Sequence, residues 1–404
     1  MSRLDELINE YCPDGVKFYK LGDLGKFYGG ITGKSKEDFI DGNAKFITYT
    51  NVYANPALNI DVDDRVKIGT DEKQRTLAYG DVIFTGSSET PNECGISSVV
   101  TKDTNEKLYL NSFCFVFRFD NPDCILPDFA KHLFRSTNLR YQIGKTANGV
   151  TRYNVSKKLM EKVVIPIPPL EVQEEIVRIL DTFTELTEEL TAELTARKKQ
   201  YEYYTEYLMN FGESVKYMSL GEIGSVKMCK RILKSQTNTV DGIPFYKIGT
   251  FGKEADAYIS EELFEEFKNK YSYPKKGDIL ISCSGTIGRT VVFDGEPAYF
   301  QDSNIVWLEH NGDVVTNKYL QYCYKKQPWQ VSTGGTISRL YNDNILKAKI
   351  PVPTLEEQQR IVYILDRFDV LCNDISAGLP AEIEARQKQY EYYRDKLLTF
   401  KEMS

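Results

Sequence analysis

IPIPPLEVQEEIVRILDTF at residues 165–183 returns as IPVPTLEEQQRIVYILDRF at residues 350–368, with 12 of 19 positions identical. Proline lacks an amide hydrogen and resists helix, so each copy predicts a helix that starts just after its prolines. The first then carries apolar residues at Ile176, Ile179, Phe183, Leu186, Leu190 and Leu194, followed by Tyr201, Tyr204 and Leu208. The second carries Ile361, Ile364, Phe368, Leu371, Ile375, Leu379 and Ile383, followed by Tyr390, Tyr393 and Leu397. Spacings that mostly alternate three and four make the seam of a coiled coil. Helices of ~40–50 residues are too long for ordinary globular ones. A single apolar stripe must be covered, and the other copy, antiparallel, is the natural partner. The second copy holds four extra residues within DISAGLPAEIEA, where Gly378 and Pro380 predict a kink or short break.

The repetition extends outward from these helices. VKFYKLGDLG at residues 16–25 returns as VKYMSLGEIG at 215–224, and GDVIF at Gly80 returns as GDILI at Gly277. ARKKQYEYY at Ala196 returns as ARQKQYEYY at Ala385, with eight of nine positions identical. A period of about 190 residues means a duplicated domain, since solenoid repeats run about 20–50 residues. The intervening regions, 31–148 and 226–334, share little beyond short glycine-containing blocks. The repeated parts therefore do one job twice against one kind of partner, and the divergent parts do one kind of job on two targets.

The variable regions read as mixed α/β. LYLNSFCFVFRF (108–119) is rich in aromatic and β-branched residues, and GDVIF, ISSVV, GDILI and RTVVF are short apolar runs beside glycines. LPDFAKHLFRSTNLRYQI (126–143) and TNKYLQYCYKKQPW (316–329) read as amphipathic helices in matching places. The fold class is α+β: two mixed α/β domains separated by two long helices in an antiparallel coiled coil, with an internal pseudo-twofold repeat. The division runs 1–168, 169–212, 213–353 and 354–404.

The chain of 404 residues carries a net charge of −7, which at first sight opposes nucleic-acid binding. The acid is concentrated on the helices. Residues 170–211 hold ten acids against four bases and residues 354–404 ten against seven, leaving the rest 40 bases and 38 acids. A phosphate-facing patch is thus permitted. No run of about 18 apolar residues exists to span a membrane, and the N-terminus lacks an apolar signal core. Eight scattered cysteines without a C-x-x-C pair read as small buried apolar residues in a reducing cytoplasm, and two histidines leave few zinc ligands.

GGITGKS (29–35) resembles a phosphate-binding loop, but the glycine required five residues before Gly33 is Tyr28. A glycine-rich binding loop carrying Lys34 and Lys36, or a plain turn, fits better. Paired carboxylates such as Glu174/Glu175 and Glu188/Glu189 are solvent-facing charge on helices, and no nucleophile, metal or adenine-methyltransferase motif is present. Two blocks before the prolines, TANGVTRYNVS (146–156) and STGGTISRLYN (332–342), combine a glycine turn, hydroxyls, one arginine and an asparagine after an aromatic. Arg152 and Arg339 suit guanine or phosphate, and the alternative is a structural turn. SSETPNECG (87–95) and SCSGTIGR (282–289) form a second matched pair, and CKRILK (229–234) stands opposite GITGKSK.

Two variable domains alternating with helices that begin P-P-L-E-x-Q-x-x-I-V and end A-R-x-K-Q-Y-E-Y-Y resemble the specificity subunits of Type I restriction–modification enzymes. NEYCPDGVKFYKLGDLG at the N-terminus shares the likeness. The resemblance implies that each variable region is a target recognition domain reading one half of a split, asymmetric double-stranded DNA site. It implies that the helices space the readers and dock two modification (methyltransferase) subunits. S-adenosylmethionine, ATP and magnesium would sit on modification and restriction partners, with no cofactor, metal or catalytic residue on this chain. The setting would be cytoplasmic, with no membrane contact. By chemistry and loop position, DNA contacts are expected from Lys34, Lys36, Ser87, Ser88, Thr151, Arg152 and Tyr153 in the first half. In the second half they are expected from Lys230, Arg231, Lys234, Ser284, Thr286, Arg289, Thr336, Ser338 and Arg339. The rival reading is a coiled-coil scaffold whose globular heads bind protein.

Overall fold

A computed structural model describes residues 3–331 and 338–403. The chain divides into two compact units, Met1–Ala192 with Ala381–Ser404, and Glu193–Pro380. The long helices begin where the prolines predict, at Leu170 and Leu355. The first runs unbroken from Leu170 to Leu208. The second is interrupted: Leu355–Asn373 ends, residues 374–378 turn, and Leu379–Leu397 restarts. The extra residues lie in this break. A Cβ on Gly378 would stand 2.3 Å from the Val370 carbonyl oxygen, so only glycine closes the turn there. Ile375, expected in the apolar seam, falls in the break and is exposed.

The divergent regions build the same topology twice. The first unit holds a four-stranded antiparallel sheet in the order Gly25–Gly29, Cys114–Phe119, Val82–Thr85, Ser97–Val99. The second repeats it with Ser225–Lys227, Ile305–Glu309, Ile279–Ser282, Thr290–Val292. A three-stranded sheet accompanies each, and in both one pair is parallel: Ala44–Ile47 with Leu108–Leu110, and Ile243–Tyr246 with Tyr299–Phe300. The central strands are buried on both faces, Phe84 and Phe117 on one side and Ile83 and Val116 on the other, and in the second unit Ile281 and Val306 are buried likewise. Burying each large apolar side chain contributes roughly 1.5–3 kcal/mol.

The repeated motifs have structural reasons. Phe18–Lys20 of the first VKFYKLGDLG copy pairs antiparallel with Val164–Pro166 before the first long helix, and Tyr217–Ser219 pairs with Lys349–Pro351 in the same way. In the GD motifs, Gly80 and Gly277 adopt φ of 82° and 93°. Asp81 and Asp278 accept the amides of Ala78 at 2.7 Å and Lys275 at 2.8 Å, closing the turn. Gln173 and Gln358, the glutamines of the L-E-x-Q motif, are fully buried. Gln173 accepts from the Leu126 amide at 2.8 Å and donates to the carbonyls of Cys124 and Pro168. Gln358 does the same with Thr316, Val314 and Pro353. Each glutamine ties the start of a variable-domain helix to the start of a long helix.

Those domain helices differ from the expected form in one place. Residues 126–143 are two helices, Pro127–Leu133 and Thr137–Gly144, because Ser136 caps the second through the Leu139 amide. The matching helix in the second unit is the single Asn317–Lys325.

Within each unit the two long-helix segments meet as an antiparallel pair requires. In the first unit Phe183 stacks on Tyr393, with ring centroids 5.2 Å apart. In the second Tyr201 and Tyr204 both stack on Phe368. The YEYY end of one copy thus serves the domain that precedes the other copy. Seven of the eight cysteines are buried and all are unpaired; burial pushes the Cys114 thiol up to about 12.

His132 locks the first of these junctions. Its Nε2 lies 2.7 Å from Asp181 and its Nδ1 2.8 Å from the Tyr390 hydroxyl. A neutral ring donating from Nε2 and accepting at Nδ1 satisfies both. Burial pushes its pKa below the ordinary value, outweighing the Asp181 carboxylate, while Lys131 adds to the lowering. The unfolded chain therefore binds the extra proton, and this stability is present above pH ~6.5 and lost as pH falls below it. The first unit is expected to lose up to about 1.4 kcal/mol per pH unit in that window. His132→Tyr, the residue at matching position 322, should remove the slope; thermal unfolding between pH 7.5 and 5 checks it, and equal slopes refute it.

Candidate nucleic-acid interface

The TRYNVS and SSETP segments, whose contacting residues lie 65 apart in sequence, form one sheet. Ala147–Asn148 and Tyr153–Val155 make a hairpin, and Tyr153 and Asn154 pair with Ser88 and Ser87. A Cβ on Gly149 would stand 2.0 Å from the Arg152 carbonyl oxygen, so the hairpin needs glycine at this point. Thr151 and Arg152 are exposed at its end, with Tyr153 half-buried. Arg152 donates from Nε and Nη2 to the buried Ser87 hydroxyl, at 3.3 and 3.1 Å. Ser88 donates to Glu93 at 3.2 Å.

A third segment completes the group. The backbone carbonyl of Phe113 accepts the Gly86 amide at 2.7 Å, and the Arg152 guanidinium lies 5.9 Å from the Phe113 ring. Gly30 of the GGITGKS stretch packs on the same turn, where a Cβ would stand 2.1 Å from the Asn111 carbonyl oxygen. The exposed Lys157 places its ammonium 5.6 Å from the Phe115 ring.

The second unit repeats this arrangement. Cys283, the counterpart of Gly86 after the GD strand, donates its amide to Asn304 at 2.7 Å and accepts from Leu340 at 2.9 Å. Gly86 likewise accepts from Val155 at 2.9 Å. Ser284 donates to the Asn304 side chain at 2.8 Å, Arg339 to the Ser303 carbonyl at 2.7 Å, and Arg231 faces Asp302 at 3.6 Å. Ser303 sits at φ 54°, a region costing a non-glycine residue about 1–2 kcal/mol, and the Arg339 bond helps hold it.

The sequence expectations are sorted by this geometry. Lys34 is not a free cation: its side chain is 9% exposed and bonds Glu72 at 2.5 Å and the Lys67 carbonyl at 2.6 Å. The Lys34 hydrogen bond, with others from Gln74 and Gly69, holds Glu72 down to about 2. Lys36 is exposed on the short helix Lys36–Phe39. Arg289 spends one nitrogen on the Phe251 carbonyl at 2.9 Å, and Thr286 is exposed beside it. Lys230 lies over the Tyr271 ring at 5.2 Å, and Lys234 opens the short helix Lys234–Gln236. Ser338 is exposed, and Thr336 lies outside the described residues.

Arg152 and Arg339, matched by sequence, are not register equivalents. Val155 and Leu340 occupy the same place against Gly86 and Cys283, so Arg339 matches Asn154. Two participants carried no sequence signal. The turns at 111–113 and 302–304 are polar interruptions between apolar runs, recognisable only once the strands pair. Arg140 donates to the carbonyls of Asn92, Cys94 and Gly95, fixing the 87–95 loop, and burial holds its pKa down to about 10.

Comparison with known proteins agrees with this arrangement. Residues 13–197 and 212–385 match the Type I restriction modification DNA specificity domain. A Haemophilus influenzae chain named as a type I restriction enzyme specificity subunit is 60% identical over 260 residues, covering 62% of this chain and 68% of that one. The Escherichia coli EcoR124I/EcoR124II specificity subunit is 37% identical over 265 residues, covering 61% of this chain and 65% of its own. A solved chain from a type I restriction–modification system superposes with a TM-score of 0.62 at 18% identity, covering 96% of this chain and 98% of that one. The S subunit from M. genitalium gives 0.51 at 16% identity, covering 95% and 96%. Among the described residues no helix is long and apolar enough to cross a membrane. The scaffold reading is not favoured, and the chain belongs to the Type I restriction–modification DNA specificity family, as the non-catalytic subunit that recognises DNA sequence.

Proposed function

We propose that each unit reads one half of a split, asymmetric DNA site with its three converging segments. In the first unit these are 86–95, 111–113 and 147–155. In the second they are 283–289, 302–304 and 338–341. The long helices dock two modification subunits, which carry S-adenosylmethionine and methylate adenine. Restriction subunits join them, using ATP and magnesium to translocate and cut, in the cytoplasm. One observation carries this reading: two regions of unlike sequence build the same three-segment group, each with an arginine beside it. Constant framework with variable chemistry is what two readers of different sequences require.

The test is DNA binding by the chain assembled with its modification subunit, across a salt titration. Affinity should fall steeply with salt. Arg152→Ala and Arg339→Ala should each weaken binding by about 10- to 100-fold where the arginine grips a base, or lower the salt slope by about one where it grips phosphate. Wild-type affinity and slope in both variants would assign the arginines to holding Ser87 and Ser303.

A further inference from the structure

Phe113 is out of place for a structural residue. It is 59% exposed, although its strand continues into the buried Cys114, Phe115 and Phe117. Its backbone does the structural work: the amide donates to the Asn111 side chain at 2.7 Å and the carbonyl accepts from Gly86 at 2.7 Å. The ring contributes little to the core and stands in water beside Arg152. Arg152 uses Nε and Nη2 on Ser87, and among the described residues Nη1 makes no hydrogen bond, so its end-on edge is open. Lys157, at the next aromatic of the strand, adds positive charge.

The matching position of the second unit is Asn304, fixed by the same backbone bond, Cys283 amide to Asn304 carbonyl at 2.7 Å. One register position thus carries an apolar ring in one reader and an amide in the other. In the major groove, the apolar feature that distinguishes bases is the thymine C5-methyl group, whereas an amide suits hydrogen-bonding edges.

We infer that Phe113 is a specificity-determining residue that packs on a thymine methyl group in the half-site read by the first unit. This rests on the reading proposed above. It requires at least one A·T pair in that half-site, at a position where the methyl group itself is sensed.

The experiment uses the assembled complex and its site, mapped by methylation sequencing. Each thymine of either strand in turn is replaced by deoxyuridine, which removes the methyl and keeps every hydrogen-bonding group. The wild-type complex should bind about fourfold more weakly at one position of the first half-site, the equivalent of one buried carbon at ~0.8 kcal/mol. Phe113→Ala should bind thymine and deoxyuridine there equally, and Phe113→Leu should keep part of the difference. Substitutions in the second half-site should affect wild type and Phe113→Ala alike. A first half-site with only G·C pairs, no deoxyuridine-sensitive position, or undiminished sensitivity in Phe113→Ala each overturns the inference. Failure of the underlying reading looks different: the complex would then show no preference for its methylated sequence over a scrambled one.

Discussion

Exchanging residues 31–155 for the corresponding stretch of another family member is expected to replace one half of the methylated sequence and leave the other half unchanged. The divergent sequence suggests a boundary at 148, but the structure places it further on. Asn154 and Tyr153 pair with Ser87 and Ser88, and Arg152 bonds the Ser87 side chain. A chimera cut at 148 splits this hairpin, keeping only its second strand and setting it against a foreign first strand and a foreign loop. It should methylate at least about tenfold more slowly than the longer exchange, the cost of one mispaired contact of ~1.4 kcal/mol. Methylome sequencing of cells carrying each chimera measures both outcomes. A change in both halves would show that the units do not read independently, and equal rates for the two chimeras would show that the hairpin is not part of the reader.

Replacing the buried glutamines should cost more stability than any surface change. Gln173→Leu leaves the Leu126 amide and the carbonyls of Cys124 and Pro168 without their partner. Each unsatisfied buried group costs about 1–3 kcal/mol, so a loss of ~3 kcal/mol or more is expected. For a unit of this size that lowers the unfolding midpoint by roughly 6–12 °C. Gln358→Leu should do the same to the second unit through Thr316, Val314 and Pro353. Calorimetry should show each variant lowering one unit's transition. A shift under about 2 °C would mean that water or rearranged backbone satisfies these groups. The glutamine then would not be what couples reader to helix.

These expectations divide by the range of the interactions behind them. The long helices, their start after the prolines, the break at Gly378 and the twofold repetition were legible in sequence. Helix periodicity and proline sterics act over a few residues, and repetition needs no structure to be seen. The buried cysteines and the apolar strands beside the GD turns were readable for the same reason.

The reader itself depended on β pairing between distant segments. Nothing local in GGITGKS indicates that Glu72 captures Lys34, a partner 38 residues away. Nothing in TANGVTRYNVS or STGGTISRLYN reveals that their arginines differ in register, because that follows from which amide meets Gly86 and which meets Cys283. The turns at 111–113 and 302–304 gained meaning only when the strands brought them beside Arg152 and Arg339. Sequence determined the framework, since helix periodicity, proline sterics and apolar runs beside glycine turns are local signals. Tertiary structure decided the recognition surface, since an exposed ring or an open guanidinium edge is defined by what the rest of the fold leaves unpaired.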